Sequence, residues 1–353
     1  MRKGKRLIAW IMAVVMLFTI CVFGGNGTAE AAATTPVAKH GRLSVKGADL
    51  VDSKGNKFQL RGISTHGINW DVGSPYVNKK AFKTLRDDWG VNAIRLAMYT
   101  EEYNGYCSGG SQAKLRKQVE KGVGYATDLG MYAIIDWHIL SDGNPNKNKS
   151  QAKKFFTTMA KKYKNNKNVI YEICNEPNGC SWKEIKSYAT DIIKTIRKYD
   201  KKAVIIVGTP TWSQLGMDGT SNEVADSPIK GYKNIMYSLH FYASEWAHNE
   251  YLPAKVAYAR KKKLPIIVSE FGLSPASGDG AINKASADKW MKLLNKYNIS
   301  YFCWSLSNKN ESASLLKPST KKTSGWKSGD LSTAGKYIKK KYLARKKALG
   351  KKA

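Results

Sequence analysis

Glu176 and Glu270 are the residues around which the chemistry of this sequence can be organised. Glu176 stands in Asn175-Glu176-Pro177 and Glu270 in Ser269-Glu270-Phe271, each at the end of a short apolar run. Two carboxyl groups converging on one bond supply a proton donor and a nucleophile or general base. That is the equipment for hydrolysing an acetal such as a glycosidic linkage. His66, Arg95, Tyr99, His138, His240, Tyr242 and Trp304 stand at or just beyond the ends of other such runs, and Trp70 and Trp212 follow close behind two of them. Flat Trp and Tyr faces suit the apolar C–H faces of pyranose rings, while His, Asn and Arg suit the hydroxyls. A metal-dependent hydrolase is the chemical competitor. The histidines make no H-x-x-x-H spacing and no carboxylate-rich arrangement, so neither a metal nor another cofactor is expected.

Taken singly, each residue has an ordinary structural explanation: Pro177 can simply stop a strand, and a strand-end histidine commonly satisfies a neighbouring hydrogen bond. Their weight comes from the elements that would position them. Eight apolar runs read as strands: 58–63, 91–98, 132–139, 169–174, 203–207, 234–242, 265–271 and 300–306. Lysine-rich amphipathic stretches lie between them at 79–89, 113–129, 151–163, 183–199 and 287–297, with Gly90 and Gly130 as C-terminal stops; 214–232 is the weakest helical pattern. Near-continuous apolar strands alternating with helices imply a parallel sheet covered on its faces, and eight repeats imply an α/β fold closed as a (β/α)₈ TIM barrel. No nucleotide-binding glycine loop follows any strand. Residues 40–57, with Asp52-Ser53-Lys54-Gly55 as a turn, are expected to form a small N-terminal hairpin closing the barrel bottom. In such a barrel, chemistry belongs at the C-terminal ends of the strands, and every one of the eight ends supplies a polar or aromatic group.

The remaining features concern the ends and the charge. The chain has 353 residues, and Lys and Arg outnumber Asp and Glu by 59 to 27, a net charge of +32. Only ten of those cations are Arg, and no zinc-finger spacing, RNP-like strand or Arg-rich helix is present. Scattered lysine is mostly solvated surface charge, so nucleic acid is not expected as a partner. Arg2, Lys3, Lys5 and Arg6 precede an apolar stretch from Leu7 to Phe23, and Ala29-Glu30-Ala31 fits a signal cleavage site. Residues 1–33 therefore read as an export signal, with an uncleaved anchor as the alternative; residues 34–335 read as the catalytic barrel, and 336–353 as the end of a last helix and a basic tail. A secreted, extracellular protein is expected, with no membrane insertion once the signal is removed. Its surface charge is consistent with solubility or loose association with an anionic cell envelope. Cys107, Cys174, Cys180 and Cys303 match no metal spacing and admit three disulfide pairings, between which the spacings do not choose.

Several separated motifs carry a resemblance. They are Arg61-Gly-Ile-Ser-Thr-His66-Gly-Ile-Asn-Trp70, Arg95-Leu-Ala-Met-Tyr99 and Ile135-Asp-Trp-His138. Further along come Asn175-Glu176-Pro177, His240-Phe-Tyr242-Ala, Val268-Ser-Glu270-Phe-Gly, and Trp304 followed by Lys309 and Glu311. In content and order this chain, from about residue 38 to 337, resembles the bacterial endoglucanase (cellulase) branch of glycoside hydrolase family five. The resemblance implies that Glu176 is the acid/base and Glu270 the nucleophile of a retaining double displacement. Asn175 would bond the sugar 2-hydroxyl, His138 and His240 would line the cleavage subsite, and Arg95 and Tyr242 would contact Glu270. Trp70, Tyr99, Lys309 and Glu311 would line the glycone side with His66 nearby, Trp304 would lie under the reacting sugar, and Trp212 would serve the aglycone side.

Glu172 is read as a structural charge inside the barrel. Phe271 stands where relatives often have Trp, and Ser305 where many have Asn. The implied enzyme is a monomeric endo-β-1,4-glucanase acting on a β-glucan polysaccharide such as cellulose, with soluble and amorphous chains preferred. Mannan, xyloglucan or mixed-linkage β-glucan under the same mechanism stays open, as does an inactive carbohydrate-binding barrel.

Overall fold

The computed structural model describes residues 35–350. The expected export signal, residues 1–33, lies outside the described residues, as do the last three residues of the basic tail. An antiparallel hairpin, β1 (Ser44–Lys46) and β2 (Asp49–Val51), precedes eight strands. These are β3 (Arg61–Thr65), β4 (Ala93–Tyr99), β5 (Tyr132–His138), β6 (Val169–Glu172), β7 (Ile205–Val207), β8 (Ile235–Tyr242), β9 (Ile266–Gly272) and β10 (Tyr301–Leu306). All eight run parallel and close into a barrel in which β10 pairs with both β3 and β9. This is the (β/α)₈ architecture that the alternation of runs implies.

Helices Lys79–Trp89, Gln112–Asp128, Lys149–Tyr163, Trp182–Arg197, Trp246–Lys261, Lys284–Tyr297 and Thr333–Gly350 surround the strands. Their boundaries follow from local chemistry. Asn78 Oδ1 accepts from Ala81 N at 2.7 Å, and Ser181 with Glu184 forms a reciprocal capping box. Gly90, at φ 75°, takes the left-handed turn that ends its helix at lower strain than a side-chain-bearing residue. The apolar faces of these helices, with residues such as Phe82, Leu85, Val119, Phe155, Ile192 and Leu294, pack on the outward residues of the strands. Among the described residues, no helix is long and apolar enough to cross a membrane.

The hairpin is the barrel's floor. Leu43, Leu50, Phe58 and Leu60 cluster with the inward residues of the first strand layer, among them Ala93, Tyr132, Ile170, Ile206, Met236, Ile267 and Phe302. Phe302 fits because Gly62 has no side chain: a Cβ there would lie 1.9 Å from its ring. The floor is thus a sealed apolar core, and the polar residues of the strands lie above it.

Five local features differ from the sequence reading. Asp52-Ser53-Lys54-Gly55 is a turn, with Asp52 Oδ1 accepting from Lys54 N and Asn56 N at 2.9 and 3.0 Å. It joins β2 to the bridge residue Lys57, however, whereas the hairpin's own turn falls at Gly47. The first barrel strand begins at Arg61, three residues later than Phe58. Leu60 N is taken by Ser300 Oγ at 2.9 Å, and parallel pairing with β4 starts at Gly62.

The stretch 214–232 is not a long helix; only Glu223–Asp226 is helical. Instead Trp246–Lys261, whose apolar pattern is broken by His248 and Lys255, fills the position after β8. The two deviations are linked. Lys255 is buried and donates from Nζ to the carbonyls of Gln214 (3.1 Å) and Asp218, so a charge that spoils the helical pattern holds the irregular loop in place. The last helix also continues through most of the expected tail to Gly350, where Arg345 Nε reaches Gln59 Oε1 at 2.8 Å.

Candidate active site

One guanidinium organises the layer above the floor. Alternation along β4 turns Ala93, Arg95, Ala97 and Tyr99 inward, and Arg95 is fully buried. Its Nε donates to Glu172 Oε2 (2.7 Å), Nη1 to Glu270 Oε2 (2.9 Å) and Ser64 Oγ (3.4 Å), and Nη2 to Asn175 Oδ1 (2.5 Å), with Asp136 Oδ2 3.0 Å from Nη2. Four acceptors take hydrogen bonds from the guanidinium, and Asp136 adds a close ion pair. Burial alone lowers the Arg95 pKa, but the charges of Asp136, Glu172 and Glu270 outweigh it and hold the guanidinium charged. Glu172 is fully buried, facing the lumen, and ion-paired there.

Glu270 is held at both oxygens, since Tyr242 OH donates to its Oε1 at 2.7 Å opposite Arg95. A register shift helps to bring it into place. Between the pairs Ser238↔Ile267 and His240↔Glu270, β9 contains one more residue than β8. The consecutive residues Ser269 and Glu270 can therefore both reach the lumen, which strict alternation forbids. Phe271 faces away, stacked on Phe241 with centroids 5.3 Å apart beneath Trp290. Its departure from Trp consequently changes strand–helix packing and leaves the cleft untouched. Ser305 is buried, and its Oγ has no hydrogen-bond partner.

Glu176 is differently placed. It extends from the loop after β6, its side chain 14 % exposed, with Oε1 2.8 Å from His240 Nδ1. Burial pushes its pKa up to about 8, and the charges of Asp136 and Glu172 add to that against the opposing pull of Arg95. Burial likewise brings His240 down to about 4 and His138 to about 3, so both rings are neutral near pH 7. One carboxylate oxygen of Glu176, one of Glu270 and a ring nitrogen of His240 lie within 4.8 Å of one another. That is close enough to share a cation, but Glu270 is committed to Arg95 and Tyr242, and Glu176 to His240.

Asn175 supports the same floor of the site. Its Nδ2 donates to Ile139 O at 3.1 Å and lies 3.2 Å from His138 Nε2, while His138 Nδ1 lies 2.6 Å from Asp136 Oδ2. Both amide hydrogens are thereby used, so the hydrogen-bonding capacity Asn175 has left is the second lone pair of its Oδ1.

These groups open into a cleft of about 610 Å³ at the C-terminal rim. Twelve of the fourteen expected site residues line it, His66 and Trp304 to Lys309 and Glu311 included; Arg95 and Asn175 lie beneath. Its aromatic floor is a contiguous set: Trp70 on Tyr99 (4.5 Å), Tyr99 on His138 (4.1 Å) and His138 stacked on Trp304 (5.2 Å). Lys309 Nζ pairs with Glu311 Oε2 at 2.5 Å, and Glu311 Oε1 stands 3.7 Å from His66 Nε2. Trp212, 44 % exposed, is held up by a run of left-handed residues, Thr211 to Ser213. Four thiols, Cys107, Cys174, Cys180 and Cys303, are free.

Sequence reading did not pick out Asp136, Glu102, Gln214, Glu245 or the 276–278 segment. Asp136 was within reach, two residues before His138 and hence on the same face of β5. Glu102, Gln214, Glu245 and 276–278 are on loops that carry no periodic signal, and only the fold brings them to the cleft.

Comparison with known proteins fits this geometry. Residues 51–310 match the family model described as Cellulase (glycosyl hydrolase family 5). An endoglucanase of Clostridium saccharobutylicum is 47 % identical over 339 residues, covering 95 % of this chain and 72 % of that protein. Endoglucanase 5 of Pectobacterium carotovorum is 44 % identical over 325 residues, covering 92 % of this chain and 62 % of its own length. Among solved structures, the catalytic domain of Thermobifida fusca endoglucanase Cel5A superposes with a TM-score of 0.83 at 37 % identity, over 88 % of this chain and 99 % of that one. A substituted form of that domain was solved in complex with cellotetraose, and it superposes with a TM-score of 0.81 at 36 % identity, over the same shares.

Proposed function

Because the chain belongs to glycosyl hydrolase family 5, the cellulase family, and is a glycoside hydrolase, we propose that it is a secreted endo-β-1,4-glucanase that cleaves internal bonds of cellulose-like β-glucans with retention of configuration. The observation that carries the mechanism is that one oxygen of Glu176 and one of Glu270, carboxyl groups in unlike settings, lie within 4.8 Å of each other. Retention needs carboxyl groups about 5–5.5 Å apart, whereas inversion needs room for a water between them, about 6.5–9.5 Å. Glu270, with both oxygens held by Arg95 and Tyr242, is the nucleophile that attacks the anomeric carbon. Glu176, whose proton is retained to about pH 8, protonates the departing glycosidic oxygen, then as the carboxylate takes a proton from the water that releases the glycosyl-enzyme. Asn175 orients the 2-hydroxyl, and the ring floor from Trp70 to Trp304 supports the glycone sugars, with Trp212 on the aglycone side. An open cleft lined along its length by aromatic faces suits a chain bound in its middle. Names of similar proteins such as the Clostridium endoglucanase point the same way. Secretion rests on the basic, apolar and small-residue order of residues 1–33.

Hydrolysis of carboxymethyl cellulose, barley β-glucan, glucomannan and xyloglucan in parallel, following viscosity against reducing ends, tests the substrate. Viscosity is expected to collapse early on a β-1,4-glucan; release of reducing ends without loss of viscosity would exclude internal cleavage. Proton NMR of the first product tests the stereochemistry, with the β-anomer expected before mutarotation and the α-anomer excluding double displacement.

A further inference from the structure

The catalytic reading leaves two buried serines unused, and they form a continuous chain behind Glu176. Its Oε1 lies 2.8 Å from His240 Nδ1, His240 Nε2 lies 2.9 Å from Ser269 Oγ, Ser269 Oγ 2.5 Å from Ser238 Oγ, and Ser238 Oγ 3.1 Å from Glu172 Oε1. Ser238, Ser269 and Glu172 are fully buried. The far end is anchored, because Glu172 Oε2 accepts from Arg95 Nε at 2.7 Å.

The direction of the hydrogen bonds follows from what each group can give. An ion-paired carboxylate only accepts, and each hydroxyl has one proton. Ser238 gives its proton to Glu172. Ser269 must then give its own to Ser238, since two hydroxyl oxygens 2.5 Å apart repel unless a hydrogen lies between them. Ser269 therefore accepts from His240, whose ring proton sits on Nε2. The Nδ1 lone pair is left facing Glu176, and only the protonated carboxyl has a hydrogen to offer it. The reverse order, with the ring proton on Nδ1, takes the hydroxyl donor from Glu172 Oε1. That oxygen would then face the Nε2 lone pair 4.0 Å away, a buried acceptor without a partner.

We propose that Ser238 and Ser269 are positioning residues that set the tautomer of His240, so that Glu176 rests with its proton directed at Nδ1 and ready for the leaving group. The inference rests on the reading of Glu176 as the acid. The charged and titratable groups facing this pair are Arg95 and Tyr99 from β4, Asp136 from β5, Glu172 from β6, Tyr242 from β8, His248 from helix Trp246–Lys261 and Glu270 from β9. A Glu176 pKa pushed up to about 8 beside a His240 brought down to about 4 agrees with that orientation.

Nitrogen NMR of histidine-labelled enzyme near neutral pH reads the tautomer directly, with the His240 signals assigned by their loss in His240→Asn. A proton on Nε2 is expected, and a proton on Nδ1 overturns the proposal whatever the substrate proves to be. The second measurement is the pH dependence of kcat/KM for Ser238→Ala. That variant frees Ser269 to turn its proton toward Nε2 and lets His240 donate to an ionised Glu176. The alkaline limb is expected to move down by about one pH unit, with about a tenfold loss at alkaline pH on an unactivated glucan and little on a dinitrophenyl glycoside. Ser238→Thr, which keeps the hydroxyl, is expected to restore the limb. An unchanged limb in a Ser238→Ala protein that melts like the wild type would sink the proposal. If no β-glucan is hydrolysed even by the wild type, the functional reading fails, and the NMR result still decides the tautomer.

Discussion

The two ends of the barrel solve opposite problems with the same strands. At the floor, Tyr132, Ile170, Ile206 and Phe302 are sealed by Leu43 and Leu50 of the hairpin segment and by Leu60 just before β3, and what holds them is burial and close packing. A few residues further along, the same inward positions are occupied by Arg95, Asp136, Glu172, Ser238 and His240, equally buried but polar. There most groups are held by a polar partner, and Arg95 alone hydrogen-bonds four acceptors and ion-pairs with Asp136. The floor tolerates loss of a residue as a cavity; at the rim a loss acts through the charge and pKa of the groups that remain. Stability is therefore concentrated at one end and reactivity at the other.

Substitutions that separate the two properties test this division. The largest effect is expected for Glu270→Ala, where no covalent glycosyl-enzyme can form: turnover should fall at least about a thousandfold while the melting temperature changes little. Steady-state kinetics beside a thermal scan measure both. Glu176→Gln should cost about a hundredfold or more on polysaccharide and far less on a dinitrophenyl glycoside, which needs little protonation; equal losses on both would count against the acid role.

At the floor the pattern reverses. Leu60→Ala should lower stability by about 2–5 kcal/mol while kcat of the folded enzyme stays near wild type, as chemical denaturation with activity assays at low temperature will show. Trp212→Ala, at an exposed platform, should give the smallest change, raising KM about fivefold through the loss of about 1 kcal/mol of ring contact, with kcat preserved.

The pH response carries the same division. Activity that needs protonated Glu176 should decline as pH rises through about 8. The sign for stability is the same. A carboxyl that keeps its proton in the fold to about 8, against an unfolded value near 4.5, loses the fold stability as pH rises between those values. Glu176→Gln, which cannot ionise, should gain in melting temperature relative to wild type between pH 5 and pH 8. A constant difference across that range would show that the folded carboxyl is not raised.

The rim residues were legible because barrels place function at strand ends, and eight apolar runs located those ends within a few residues. Glu176, Glu270, His138 and Tyr242 could each be named from their position at or just beyond the end of such a run. Helix Trp246–Lys261 was not legible, since buried His248 and Lys255 interrupt its apolar face; each is stabilised by a backbone group from elsewhere, Tyr242 N and the carbonyls of Gln214 and Asp218. Glu102 and Glu245 escaped for a related reason, because loop residues have no period to betray which way they face.

The order of runs in this chain settled the barrel, its rim and the two carboxylates, since hydrophobic periodicity and residue type are local properties written along the polymer. Which glutamate keeps its proton, which way His240 points its lone pair, and how Arg95 divides its donors among Glu172, Asn175, Ser64 and Glu270 were decided only by folding. Those properties depend on burial and on distances of about 3 Å between groups from six different strands and loops, and no local pattern encodes a dielectric or a hydrogen-bond partner.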